Sequence, residues 1–198
     1  NPYNFSIQGT GTDAEIRIEG KSTEISDGDD EPATADGTDF GSADIDGITA
    51  TSTFTIYNSG STALTLTGSP RVGKSGDHPS DFAVTGPVAS TVNAGGNITF
   101  VVVFNASDTG TRSAILSVPN DDPDENPYNF SIQGKGTAVL TVTGITVTDR
   151  EYDGTNEATL VGTGTANLVG VIGDDQVALN ASQAVGVFAD ANAGTGKT

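Results

Sequence analysis

Residues 1–12 read NPYNFSIQGTGT and residues 126–137 read NPYNFSIQGKGT, so eleven of twelve positions are identical at a spacing of 125 residues. Repetition at the length of a domain is the signature of a tandem array. It predicts that 13–137 is one whole unit closed by the strand that 126–137 supplies. Residues 1–12 are then the last strand of a preceding copy. The 198-residue chain divides into that orphan strand (1–12), the unit 13–137 and a remainder of different texture, 138–198.

Within the unit, apolar residues alternate with polar ones at the period of a strand, which puts one face toward a core. Ile16 and Ile18 share a face in 14–19, as do Phe54 and Ile56 in 52–58, Leu64 and Leu66, and Phe82 and Val84. The stretch 98–104 (ITFVVVF) is almost continuously apolar and predicts a central strand buried on both faces. Residues 114–118 and 128–132 predict two more strands. Gly, Asn, Asp and Pro punctuate these runs, as in Asn58-Ser59-Gly60 and Ser107-Asp108-Thr109-Gly110. About seven short strands, with no helical period, predict an all-β chain: an immunoglobulin-like β-sandwich followed by a second β-rich domain.

Composition closes off several kinds of chemistry. The chain carries 26 acidic and 8 basic residues, a net charge of −18, with no Cys and one His, His78. Thiolate-ligated metals and disulfides are excluded, and a histidine triad is disfavoured. Such a polyanion is repelled by nucleic acid and by anionic membranes, and no apolar run reaches the length of a membrane span. The expectation is a chain with no catalytic residues, no nucleic-acid partner and no membrane insertion in this segment.

Carboxylates are densest at 24–46, where nine of them occur, and no Lys or Arg lies between Lys21 and Arg71. Hard oxygen donors at this density suit calcium. The candidate ligands are Asp27, Asp29, Asp30, Asp36 and Asp39. The pattern departs from an EF-hand, with Pro32 at the glycine position and Thr38 at the bidentate glutamate position. A solvated, self-repelling loop is the competing reading. A second cluster, Asp121, Asp122 and Asp124 with Glu125, precedes the last strand of the unit and offers another place for Ca2+. There the alternative is a proline-stiffened turn whose carboxylates accept their own backbone amides.

Residues 18–41 (IEGKSTEISDGDDEPATADGTDFG), 54–68 (FTIYNSGSTALTLTG), 81–86 (DFAVTG) and 100–137 resemble the bacterial choice-of-anchor D repeat, related to the ASPM–SPD-2–Hydin immunoglobulin-like domains. That resemblance implies an exported bacterial surface protein and carries no catalytic residues. Residues 138–198, with Tyr152-Asp153-Gly154, Asp174-Asp175-Gln176-Val177 and the closing GTGKT, resemble the YDG repeat of filamentous-haemagglutinin-like adhesins. In that family the chain continues past this Gly-Lys-Thr, so the resemblance implies a second domain truncated at its C-terminus.

Ala191 to Thr198 also fits a permissive A-x4-G-K-T phosphate loop, but such a loop needs a helix after it to hold the phosphates, and none follows. Asp174 and Asp175 read as a turn, since neighbours on a strand point to opposite faces. The expected function is a stalk or extracellular fibre segment, with neighbouring copies of the repeat as partners, by strand addition where chains exchange strands. A ligand-binding adhesin module and an accessory region of a secreted enzyme are the alternatives.

Overall fold

The computed structural model describes residues 13–45, 47, 49–172, 176–192 and 194. The strand expected at 1–12, the turn expected at Asp174-Asp175 and the end of the GTGKT motif lie outside the described residues. The chain forms two compact units, the first ending at Thr137 and the second running from Ala138.

The first unit is an immunoglobulin-like sandwich of two sheets. One has the order β2-β1-β4-β9-β7, all antiparallel: β1 (Ile16–Gly20), β2 (Thr23–Ile25), β4 (Ala50–Asn58), β7 (Phe82–Thr85) and β9 (Asn97–Phe104). The other has the order β3-β11-β10-β6: β3 (Asp39–Asp44), β6 (Gly73–Ser75), β10 (Gly110–Val118) and β11 (Tyr128–Thr137). In it β3 runs parallel to β11, and the other pairs are antiparallel. A small ladder joins β5 (Leu64–Thr65) to β8 (Thr91–Val92).

The alternation read from the sequence is what fills the core. Ile16, Ile18, Phe54, Ile56, Phe100, Val102 and Phe104 point inward from the first sheet, and Leu116, Val118, Phe130 and Ile132 from the second. Phe54 stacks on Phe100 at 5.3 Å between ring centres and meets Phe130 across the sandwich at 5.5 Å. Phe82 stacks on Phe104 at 5.0 Å. Each such ring pair adds about 0.5–1.5 kcal/mol to the burial itself.

One strand differs from its expected setting. Residues 98–104 were expected to be buried on both faces, yet in β9 only Phe100, Val102 and Phe104 are buried, while Val101 and Val103 are half-buried. Val101 and Val103 pair with Thr53 and Thr51 of β4, both exposed. Four strands also escaped the periodicity: β2, β3, β6 and β8 are short or polar, and β3 (DFGSAD) lies inside the acidic stretch.

The two ends of the unit are distinct. At the near pole Ile16, the start of β1, pairs with Asn58, and Val118 pairs with Tyr128, the start of β11. At the far pole Ala50 pairs with Phe104, and Gly110 pairs with Gly136 beside the end of β11 at Thr137. The chain therefore enters the sandwich at one pole and leaves it at the other.

The second unit is built from three two-stranded ladders: β12 (Thr141–Thr143) with β16 (Asn167–Val169), β13 (Thr146–Val147) with β15 (Leu160–Val161), and β14 (Glu157–Ala158) with β17 (Gly186–Val187). Among the described residues of this unit no side chain is buried. No helix among the described residues is long and apolar enough to cross a membrane.

Candidate functional site

The acidic stretch lies along one edge of β11. Ser131 N–H donates to the Asp29 carbonyl (2.7 Å), Gln133 N–H to the Thr38 carbonyl (2.9 Å), and β3 continues the pairing to Thr137. Its carboxylates mostly accept local amides rather than converging. Asp27 Oδ1 accepts Asn129 N–H (2.7 Å), and Asp29 Oδ1 accepts Glu31 N–H (3.0 Å). Buried Asp36 accepts both the amide and the hydroxyl of Thr38, at 2.9 and 2.6 Å. Asp39 accepts Gly41 N–H and the Gln133 side-chain amide. Asp30 is exposed. Among the described residues these five are not brought into one cluster.

The second candidate cluster is assembled differently. Asp121 turns away, its Oδ1 accepting Thr65 N–H at 2.6 Å. Asp122 and Asp124 instead meet Glu15 and Glu125, with one carboxylate oxygen from each residue within 4.8 Å of the others. Glu15 stands just before β1, more than a hundred residues from its partners in sequence, and no local pattern could have announced it. Asp122 is 1% exposed and its Oδ2 accepts Ile16 N–H at 2.7 Å, which ties the connection 119–127 to the start of β1. Buried Asn120 holds the turn: its side chain donates to the Val118 and Glu125 carbonyls, and its Oδ1 accepts Asp122 N–H at 2.7 Å.

Glu125 carries the strain of this arrangement. Its Oε2 is shielded from solvent and accepts no hydrogen bond. Burial raises its carboxyl from an ordinary value of 4.5 to about 7, helped by the charges of Asp122 and Glu15, by a hydrogen bond with Asp122 and by the charge of Asp124. Two ionised carboxylates are both acceptors, so the contact with Asp122 is a hydrogen bond only while a proton sits between them. A divalent cation could replace that proton, and the four side chains supply hard oxygen donors of the kind calcium takes.

Two further polar features are structural. Near the far pole Asp81, 2% exposed, accepts Arg112 Nε–H at 2.7 Å and Ser107 N–H at 3.2 Å. Burial pushes its carboxyl up, but these hydrogen bonds outweigh burial and hold it below its ordinary value. In the second unit, Tyr152-Asp153-Gly154 forms a turn. Asp153 Oδ1 accepts the amide and hydroxyl of Thr155, both at 2.9 Å, while Arg150 bonds Asp153 and the Thr155 carbonyl. Gly154 takes φ +79, the left-handed region that glycine enters freely. The Asp153 carboxyl is held below its ordinary value, first by the Thr155 amide and hydroxyl. Tyr152 is 68% exposed.

A family model described as the YDG domain matches residues 136–198, which begin in the last residues of β11 and take in the whole second unit. No curated protein matches the chain. Among solved structures, a protein of unknown function from Porphyromonas gingivalis W83 is 19% identical with a TM-score of 0.41, over 49% of this chain and 42% of that one. The VesB protease of Vibrio cholerae is 17% identical with a TM-score of 0.37, over 50% of this chain and 29% of that one. This chain thus spans less than half the length of either. The ASH/PapD-like domain of human CEP192 is 15% identical with a TM-score of 0.40, over 69% of this chain and 94% of that one.

Proposed function

We propose that this chain is a non-catalytic stalk or extracellular-fibre segment of a large exported bacterial surface protein. In this reading 13–137 is a choice-of-anchor D repeat and neighbouring copies of the repeat are its partners. The observation that carries it is the placement of the two chain ends of the first unit at opposite poles. Each copy then adds its own length to the array instead of folding back on its neighbour. The ten residues of β11 set that length at about 34 Å, from a rise of about 3.4 Å per residue. The charge of −18 favours this use, because like-charged copies repel laterally and stay soluble. The carboxylate cluster at the near pole is a fastening for the connection 119–127 in this reading, not a place for turnover.

A chain with a second copy of 13–137 inserted in tandem tests the proposal by small-angle X-ray scattering. The maximum dimension should grow by about 35–40 Å per copy. Growth of under about 15 Å would mean side-by-side packing and would overturn it.

A further inference from the structure

We propose that the Tyr152-Asp153-Gly154 turn holds a latent site of spontaneous backbone rearrangement, at which Asp153 converts to isoaspartate through a cyclic imide unless Arg150 and Thr155 hold its carboxyl. The inference starts from what the turn demands of its sequence. Gly154 takes φ +79, which favours a residue without a side chain. Asp153 accepts the amide two residues on, the bond that closes the turn. Together these demands set a carboxyl directly before a glycine, whose backbone nitrogen has no side chain of its own to shield it. Among the described residues, a Cβ at position 154 would meet nothing nearer than the Tyr152 hydroxyl, 4.0 Å away.

In the rearrangement the Gly154 nitrogen attacks Cγ of Asp153. A nitrogen–carbon bond forms, and the carboxyl hydroxyl leaves with the amide proton as water. Water then opens the ring. Cleavage between the nitrogen and the main-chain carbonyl carbon routes the chain through the former side chain as isoaspartate, and cleavage of the new bond restores aspartate. No atom is gained or lost overall. The reactive form is the neutral acid, because an ionised carboxylate is a poor electrophile. Thr155 donates its amide and its hydroxyl to Oδ1, both at 2.9 Å. Arg150 binds Oδ2 and also reaches the Thr155 carbonyl and hydroxyl, at 2.6 and 2.9 Å. These bonds favour the ionised, unreactive form, in keeping with the lowered Asp153 carboxyl. The carboxyl must leave both partners before it can turn onto the Gly154 nitrogen.

Two other Asp-Gly pairs among the described residues are protected differently. At Asp27-Gly28 the Gly28 N–H donates to the Asn129 carbonyl at 2.7 Å, while Asp27 Oδ1 accepts Asn129 N–H. Nucleophile and electrophile are both tied to β11. At Asp36-Gly37 the aspartate is 6% exposed and is held by buried Thr38. Those pairs are sealed by the sandwich, whereas the Asp153 side chain is 53% exposed and depends on two surface neighbours. The proposal stands apart from the stalk reading, and either can fail without the other.

Ageing the full chain for several weeks in warm neutral buffer, beside a sample unfolded in guanidinium, tests it. Peptide mapping with electron-transfer fragmentation locates isoaspartate, which has the same mass as aspartate. In the natural sequence position 153 should isomerise at least about 5-fold more slowly than in the unfolded sample. R150A combined with T155A should raise the rate at 153 by about 3- to 70-fold and leave positions 27 and 36 unchanged. R150K, which keeps the charge but not the fork, should fall between the two. Adding G154A to the double variant should suppress the product again, because a side chain then shields the attacking nitrogen. The proposal is overturned if 153 ages as fast in the natural chain as in the unfolded one. It is equally overturned if the double variant changes the rate at 153 by less than about 2-fold, or if 27 and 36 rise in step with it.

Discussion

Replacing Glu125 by Gln should stabilise the first unit at alkaline pH and leave it unchanged at pH 4. The side chain is half-buried beside Asp122, with Glu15 and Asp124 also facing it. Its carboxyl sits at about 7 in the fold and at 4.5 as an ordinary glutamate. A group raised in this way contributes its full stability below 4.5 and loses it as pH climbs through about 7. A rise of that size corresponds to about 3 kcal/mol at most, and solvent screening at a half-buried site brings it to about 1–3 kcal/mol. Gln keeps the shape, can donate to Asp122 as the protonated acid does, and never ionises. For a unit of this length, about 4 °C of melting temperature accompanies each kcal/mol. Thermal unfolding followed by circular dichroism in EDTA should therefore show the two chains melting together at pH 4. They should diverge with rising pH, the variant leading by about 4–12 °C at pH 8.5. Parallel melting curves across that range would refute the buried-carboxyl reasoning.

Calcium at millimolar concentration, added at pH 8, should raise the melting temperature of the natural sequence, and E125Q should blunt the gain; at a hundredfold excess over the dissociation constant the gain is about 2.7 kcal/mol. Melting unchanged by calcium would show that the cluster holds a proton and not this cation. Arg112→Ala should cost about 3–5 kcal/mol in chemical denaturation at pH 7, because it strands the buried Asp81 carboxylate. That cost should shrink as pH falls through the depressed Asp81 value, since the contribution of a lowered carboxyl is present above its ordinary value and lost in acid. Gly136→Ala should destabilise the unit by about 2–4 kcal/mol, as its Cβ would press on the Asp108 carbonyl, whereas Lys135→Thr should move stability by less than about 0.5 kcal/mol.

The strands that build the core were legible because their alternation is the cause of their burial: Phe54 and Ile56, Phe100 and Val102, Phe130 and Ile132 each put two apolar side chains on one face. The edge strands were hidden for the complementary reason. β3 has little to bury and is held by parallel pairing to β11, a partner about ninety residues on. The carboxylates of 24–46 looked like a ligand set because density is visible in a sequence, whereas backbone amides that use those oxygens one at a time are not. The converse holds at Glu15, which stands apart in the sequence and joins Asp122 only once β1 has paired with β4. Asp81 and Arg112 carry no motif, and only the fold reveals their ion pair.

The opposed chain ends also fix how the first unit answers to tension. Pulling on its two termini draws β1 and β11 in opposite senses along their own axes, so their ladders are sheared as a whole instead of unzipping bond by bond. β11 is gripped on both flanks, by nine register pairs to β10 and by β3, whereas β1 is joined to β4 by five pairs and to β2 by three. The amino-terminal hairpin is accordingly the part that slips first, letting out slack while the rest of the sandwich stays shut.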